Sequence, residues 1–239
     1  STYNGYTDSG ADGLIEKGFR YYAVTIASGI VIDVYVLHMD ADSNAGDIEA
    51  RETQLAQLAA YIKGTSNKRP ILIIGDTNCR YTREHLQTGF IDVINADSRF
   101  TIKDAWVEKV WNGVYPTYGA DAMMWYNAPY NNNTGEVVDK IFYINNTESS
   151  LTIEANSYLH NTSFGVSDHY PVIVNFTITD PTATALTAAE KEAANTLDDI
   201  QAGSTTAKPT WLGEQVVSGS SYYVMNVGTG RYVKWGGSW

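Results

Sequence analysis

The chain has 239 residues, enough for one large domain or for one domain with a short second piece. Hydrophobic residues make up 44% and charged residues 18%, which excludes global disorder, and no apolar run approaches the ~20 residues of a bilayer-spanning helix. The net charge of −11 argues against a broad basic surface for polyanions, and the single cysteine, Cys79, excludes an intrachain disulfide and a cysteine-rich zinc site. The wealth of Tyr, Asn, Thr and Trp, with little Lys, reads as a secreted or periplasmic bacterial protein.

Residues 1–13 are polar and glycine-bearing and read as a loop. Residues 21–26 and the β-branched run 31–37 read as strands around a turn at Gly29, the second strand handing directly to His38. Ile48, Glu52, Leu55, Leu58, Ala59 and Ile62 recur at three- and four-residue spacings and predict a helix closed by Gly64. Its Glu49, Arg51 and Glu52 read as a solvated face. Ile71-Leu72-Ile73-Ile74 reads as a strand buried on both faces, ending at Gly75-Asp76-Thr77-Asn78. Short helices are expected at 82–87 and 102–107. Further strands are expected at 138–144, carrying Asp139, at 151–158, and at 172–178, with Pro171 in its permitted first position.

Strands and helices alternate with several β-β neighbours, so the fold class is α/β (α+β). The main domain runs over 1–180. A Pro/Thr/Ala linker with a helix, opened by the capping box Thr187-Ala188-Ala189-Glu190, covers 181–209. Residues 210–239 read as the start of a truncated all-β module, with a hairpin that is marginal alone.

The polar residues that need explaining stand at strand ends. His38 follows one strand, Asp76 and Asn78 follow another, Asp139 opens a third, and Asp168-His169 precede a fourth. Neighbouring strands would bring two imidazoles, three carboxylates and an amide to one rim. Carboxylate and amide oxygens are hard ligands for Mg²⁺ or Ca²⁺, and such a cation neutralises phosphoryl charge. Histidines donate hydrogen bonds to phosphate or move protons. The set suits hydrolysis of a phosphoester.

His38-Met39-Asp40-Ala41 after a strand, Gly75-Asp76-Thr77-Asn78, Asp139-Lys140-Ile141-Phe142 and Ser167-Asp168-His169-Tyr170-Pro171-Val172 together resemble the endonuclease/exonuclease/phosphatase superfamily, over roughly 13–178. The superfamily includes DNase I, abasic-site endonucleases, neutral sphingomyelinases and inositol polyphosphate 5-phosphatases. The resemblance implies a four-layer sandwich of DNase I type, incomplete at the N-terminus, with a divalent-metal site (Mg²⁺, or Ca²⁺ or Mn²⁺) at one end of two sheets. It implies that Asp76 orients or deprotonates the attacking water and that Asn78 holds the phosphate or a metal ligand. His169 would contact the scissile phosphate with Asp139 as its partner. Asp168, with Asp76 and Asn78, would lie at the metal. His38 would assist the leaving group or bind phosphate.

Arg80 and Tyr81 follow the Asp/Asn turn and are expected to reach the substrate, a nucleic acid or a phospholipid head group. The family's metal-binding glutamate and an asparagine before it lie on N-terminal strands with no counterpart in this sequence. Glu16 reads first as a solvated charge before a strand and second as a candidate partner for His38. Both ends read as cut, so the piece alone is expected to be poorly stable and nearly inactive. The tail, Tyr222-Tyr223-Val224-Met225-Asn226 and Gly230-Arg231-Tyr232-Val233, resembles the opening of a ricin-type β-trefoil lectin repeat, which implies a carbohydrate partner. The alternative to an enzyme is a catalytically impaired scaffold that binds carbohydrate or another ligand.

Overall fold

The β-branched and aromatic runs of the sequence pair into a five-stranded sheet with buried rows on both faces. The structure, a computed structural model, describes residues 1–4, 16–27, 30–121, 135–161 and 169–181, plus the backbone of residues 225–226 and 231–232. Strands β1 (Gly18–Ala27) and β2 (Ile30–His38) form an antiparallel pair. Helix α1 (Ala45–Gly64) then crosses over to β3 (Ile71–Asp76), which runs parallel to β2. A parallel pair requires such a crossover, because no tight turn can join its ends. A π-helical turn (Gln87–Ile91) runs into α2 (Asp92–Asn95), followed by β4 (Phe100–Asp104) and α3 (Ala105–Val110). Strand β5 (Asp139–Asn146) inserts between β3 and β4, giving the order β1-β2-β3-β5-β4. Strands β6 (Thr152–His160) and β7 (Val172–Thr179) form a second, two-stranded sheet.

Period-two alternation separates the two faces of the large sheet. Tyr35, Ile73 and Phe142 share one cross-strand row. Tyr35 meets Tyr61 of α1 at 6.1 Å between ring centroids, and Phe142 meets Phe90 of the π-helical turn at 5.5 Å. On the opposite face Tyr143 meets Phe176 of β7 edge-on at 5.6 Å. Helices, five-stranded sheet and two-stranded sheet are thus stacked in three layers among the described residues. The described tail contains the hairpin pair β8 (Met225–Asn226) and β9 (Arg231–Tyr232). The expected helix beginning at Thr187 lies outside the described residues, as do the side chains on which the β-trefoil resemblance rests.

Several local expectations are corrected. Ser1–Tyr3 do not form a free loop: Ser1 and Phe19 exchange backbone hydrogen bonds, and Tyr3 is buried in the core. The expected helix at 82–87 is a turn, and helical winding begins at 86. The expected helix at 102–107 is divided. Phe100–Asp104 is a strand paired with β5, and Asp104 then caps α3 by accepting from Trp106 N at 2.8 Å. Asp at this position competes for local backbone donors and so opens the helix where the strand stops. Gly64 is the last helical residue of α1, and Thr65 supplies the cap.

Arg51 is not solvated. It is fully buried on the inner stripe of α1 with Asp47 and Gln54. Periodicity placed Leu55, Leu58, Ala59 and Ile62 on the buried stripe correctly and Ile48 and Glu52 only at its edge, and the usual solvent preference of charged side chains misled at Arg51.

Gly75 carries φ +145°, and a Cβ there would lie 2.0 Å from Leu37 O. The close approach of β2 and β3 just before His38 and Asp76 therefore requires glycine. Gly75→Ala is expected to destabilise the fold by about 2 kcal/mol or more in urea denaturation. A midpoint equal to the parent's would show that the strand ends tolerate a wider approach.

Candidate active site

Three strands end in step at one edge of the large sheet. His38 of β2 is paired with Asp76 of β3 in the parallel ladder, and Asp76 is paired with Asp139 of β5 in the antiparallel one. The side chains therefore stand in one row on the face that the second sheet covers. Met39 N donates to Asp76 O at 3.0 Å, and Thr77 donates through N and Oγ1 to Val138 O at 3.1 and 2.7 Å. These bonds extend the ladders just past the row and hold its three members level.

His169 enters from the segment before β7. Its Nδ1 lies 2.7 Å from Asp139 Oδ2, and its Nε2 lies 3.8 Å from Asp76 Oδ2. His38 reaches Asp76 from the other side, with Nε2 at 3.6 Å from Oδ2. Asp76 is thus flanked by both imidazoles. Asn78 stands two residues on, with φ 49°, and its backbone N donates to Asp76 Oδ1 at 2.8 Å. Its Nδ2 donates to Met39 O at 3.1 Å, joining the loop after β3 to the loop after β2. Asn tolerates the left-handed region better than most residues, which suits it to this turn.

The structure brings together His38, Asp76, Asn78, Asp139 and His169. Asp168 lies outside the described residues. Arg80 is half-buried, with its backbone N donating to Glu84 Oε2 at 2.6 Å. Tyr81 is corrected: it is 1% exposed, and its hydroxyl donates to Asp104 Oδ2 at 2.9 Å. Its ring lies under the Lys140 ammonium at 4.8 Å, so it packs the interior and offers no surface to a substrate. Glu16 takes the solvated reading. It is exposed, whereas the next residue, Lys17, is buried and places Nζ 2.9 Å from His38 Nε2. An ammonium only donates, so Nε2 accepts and the His38 proton sits on Nδ1. Sequence reading missed Lys17 because only the pairing of Gly18 with His38 shows which side chain beside that glycine faces the site.

Cys79 is buried beside the site, and burial pushes its thiol well above the ordinary range, which removes it as a nucleophile. Burial, and then the neighbouring Asp76 charge, raise Asp139 above the ordinary carboxylate pKa, with the His169 hydrogen bond opposing them. Two carboxylates facing each other across an antiparallel pair repel unless countercharge is present. One oxygen each from Asp76 and Asp139 and one nitrogen from His169 lie within 4.8 Å of one another. Asp139 Oδ1 is moreover buried and accepts no hydrogen bond. Mutual repulsion, an unsatisfied buried oxygen and a hard-donor set all fit a divalent cation between Asp76 and Asp139.

A raised folded-state pKa means that the folded protein binds the proton more tightly than the unfolded chain does. The Asp139 contribution is therefore fully present below the unfolded value and is lost as pH rises through the folded one. Asp139→Asn removes that loss. In metal-free buffer its melting temperature, relative to the parent's, is expected to rise from pH 4 toward neutrality. A difference that stays constant or falls over this range would contradict the buried charge.

The chain is similar to known proteins over most of this region. The family described as Endonuclease/Exonuclease/phosphatase family 2 matches residues 3–175. Proteins named sphingomyelinase from Mycobacterium bovis and Mycobacterium tuberculosis are 29% identical over 167 residues, covering 67% of this chain. The chain spans 30% of the length of these curated relatives. Among solved structures, an endonuclease/exonuclease/phosphatase from Beutenbergia cavernae is similar at 18% identity and a TM-score of 0.46, covering 71% of this chain and 42% of that one. Sphingomyelinase C from Streptomyces griseocarneus is similar at 18% identity and a TM-score of 0.42, covering 72% and 61%. The match over residues 3–175 contains the whole described row and the histidine that closes it, and on that ground the chain belongs to the endonuclease/exonuclease/phosphatase family.

Proposed function

We propose that the chain carries catalytic groups of a divalent-metal-dependent phosphodiesterase. The observation that carries this reading is the level row His38–Asp76–Asp139 closed by His169. Asp76 and Asp139 would hold the cation beside His169, and Asp168 is proposed as a further ligand from its place in the sequence alone. When bound, such a cation neutralises charge on the phosphoryl oxygens.

The remaining roles follow from the side chains themselves. Asp76, flanked by both imidazoles, accepts the proton of the attacking water. The new bond joins that water oxygen to phosphorus, the bond from phosphorus to the leaving oxygen breaks, and the proton taken up by Asp76 passes through solvent to the leaving oxygen, which departs as the alcohol. His169, oriented by the Asp139 carboxylate at 2.7 Å, holds a phosphoryl oxygen through its far nitrogen. His38 Nε2 accepts from the Lys17 ammonium, and this pair places positive charge beside Asp76, where it would help to bind a phosphate. Asn78 and the half-buried Arg80 stand on the same loop, where amide and guanidinium donors would steady the substrate.

A small phosphodiester such as a sphingomyelin-type head group is the favoured substrate class. The relatives named sphingomyelinase support it, and a net charge of −11 disfavours long polyanions. Mg²⁺ is the favoured metal, with Ca²⁺ or Mn²⁺ as alternatives, because the donors are predominantly oxygen. A site outside the reducing cytoplasm, secreted or periplasmic, agrees with an extracellular lipid substrate.

In the complete protein, Asp76→Asn and His169→Ala are each expected to lower turnover of sphingomyelin vesicles at least ~100-fold, and EDTA to abolish it. Plasmid DNA and RNA, assayed beside the vesicles, should be poorer substrates. Full turnover in either variant, or in EDTA, would overturn the reading. Preferential cleavage of DNA would move the substrate assignment to nucleic acid.

A further inference from the structure

We infer that the buried Arg51–Glu84 pair is a positioning clamp that sets the distance between the loop after His38 and the loop carrying Asn78. The inference rests on the phosphodiesterase reading and adds to it the residues that hold its geometry. Arg51 and Glu84 are both 0% exposed. Arg51 Nη2 and Nε donate to Glu84 Oε1 at 2.7 and 3.1 Å, while Nη1 donates to Asp40 O at 3.0 Å and Ala41 O at 2.7 Å. Asp40 and Ala41 lie directly downstream of His38 and Met39.

Glu84 turns the same interaction toward the other loop. Its Oε2 accepts from Arg80 N at 2.6 Å, and its Oε1 accepts from Arg83 Nε at 2.6 Å. Arg83 Nη2 in turn donates to Asn78 O. Asn78 Nδ2 donates to Met39 O, which returns to the loop where Arg51 began. The contacts close a ring: Arg51, Ala41, Met39, Asn78, Arg83, Glu84 and back to Arg51. From the helix, Gln54 Oε1 adds a bond to Asp40 N at 3.0 Å.

A buried ion pair gives little net stability over apolar residues of the same volume, because desolvation offsets the attraction. A planar guanidinium fork does give fixed geometry. The partners of this fork are backbone oxygens beside the site and one carboxylate, itself bonded to the backbone of the other site loop. That distribution points to position rather than stability. The ring also bonds Asn78, whose φ of 49° is one that Asn tolerates, on two sides: its O accepts from Arg83 and its Nδ2 donates to Met39 O.

Two variants of the complete protein separate position from folding. Arg51→Met combined with Glu84→Leu replaces the hub with apolar side chains. Arg83→Met breaks one link at a partly exposed position, where the side chain is 26% exposed, and so tests the ring even if the double variant fails to fold. With bis(p-nitrophenyl) phosphate and Mg²⁺, each folded variant is expected to lose roughly 10- to 100-fold in kcat while KM stays within about threefold. Circular dichroism should show an unchanged folded fraction in Arg83→Met. In the same variant the ¹H–¹⁵N signals of the Asn78 side-chain amide should shift. Unchanged kcat, unchanged Asn78 signals, or a kcat loss matched by a loss of folded protein would each overturn the clamp. Should the parent lack turnover altogether, the phosphodiesterase reading fails, and the Asn78 signals alone decide whether the ring holds that residue.

Discussion

The site depends first on strand register. His38, Asp76 and Asp139 share a row because β2, β3 and β5 end in step, the first pair parallel and the second antiparallel. A slip of one residue in either ladder would turn one of these side chains to the opposite face, toward α1. Gly75 permits the close approach of β2 and β3 immediately before the row, and the bonds of Met39 N and Thr77 fix its level just after it. The chemical groups inherit their spacing from backbone hydrogen bonds, which vary far less than the side chains themselves.

The second constraint is electrostatic. Two facing carboxylates, both mostly buried, raise the free energy of the folded chain unless countercharge arrives. The Lys17 ammonium, bonded to His38 beside Asp76, brings positive charge to the row, and the His169 imidazole lies against both carboxylates. A cation would supply the rest, and the unsatisfied Asp139 Oδ1 offers it an oxygen. The arrangement shows why a site of this kind accepts some loss of stability. The same repulsion that costs folding energy favours a divalent cation between the two carboxylates.

Polar burial follows two different patterns around this site. Lys140 pairs with Glu136 at 3.0 Å and lies over the Tyr81 and Trp106 rings, so charge there is absorbed into core packing. Around Arg51 and Glu84, charge is bonded to the backbone of the two site loops. The N-terminal half of α1 is thus polar on its inner face and holds loops, whereas Leu55, Leu58, Ala59 and Ile62 in the C-terminal half pack against the sheet. One helix performs both tasks because its stripe runs from the site edge into the core.

Much of the site was legible before any coordinates. Alternating and continuous apolar runs located β2, β3, β5 and β7, and the three- and four-residue spacing located α1, because burial selects residue type along each element. Polar residues at the ends of those runs picked out His38, Asp76, Asn78, Asp139 and His169. The inward turn of Tyr81, the burial of Arg51 and Glu84, and the contact of Lys17 with His38 were not legible. Each depends on a partner far away in sequence, as Arg51 and Glu84 do across 33 residues. Local composition reports what a side chain can do and how its own segment alternates. Only the folded chain decides which groups desolvate together, because that choice is made by register and packing between segments that carry no trace of each other in sequence.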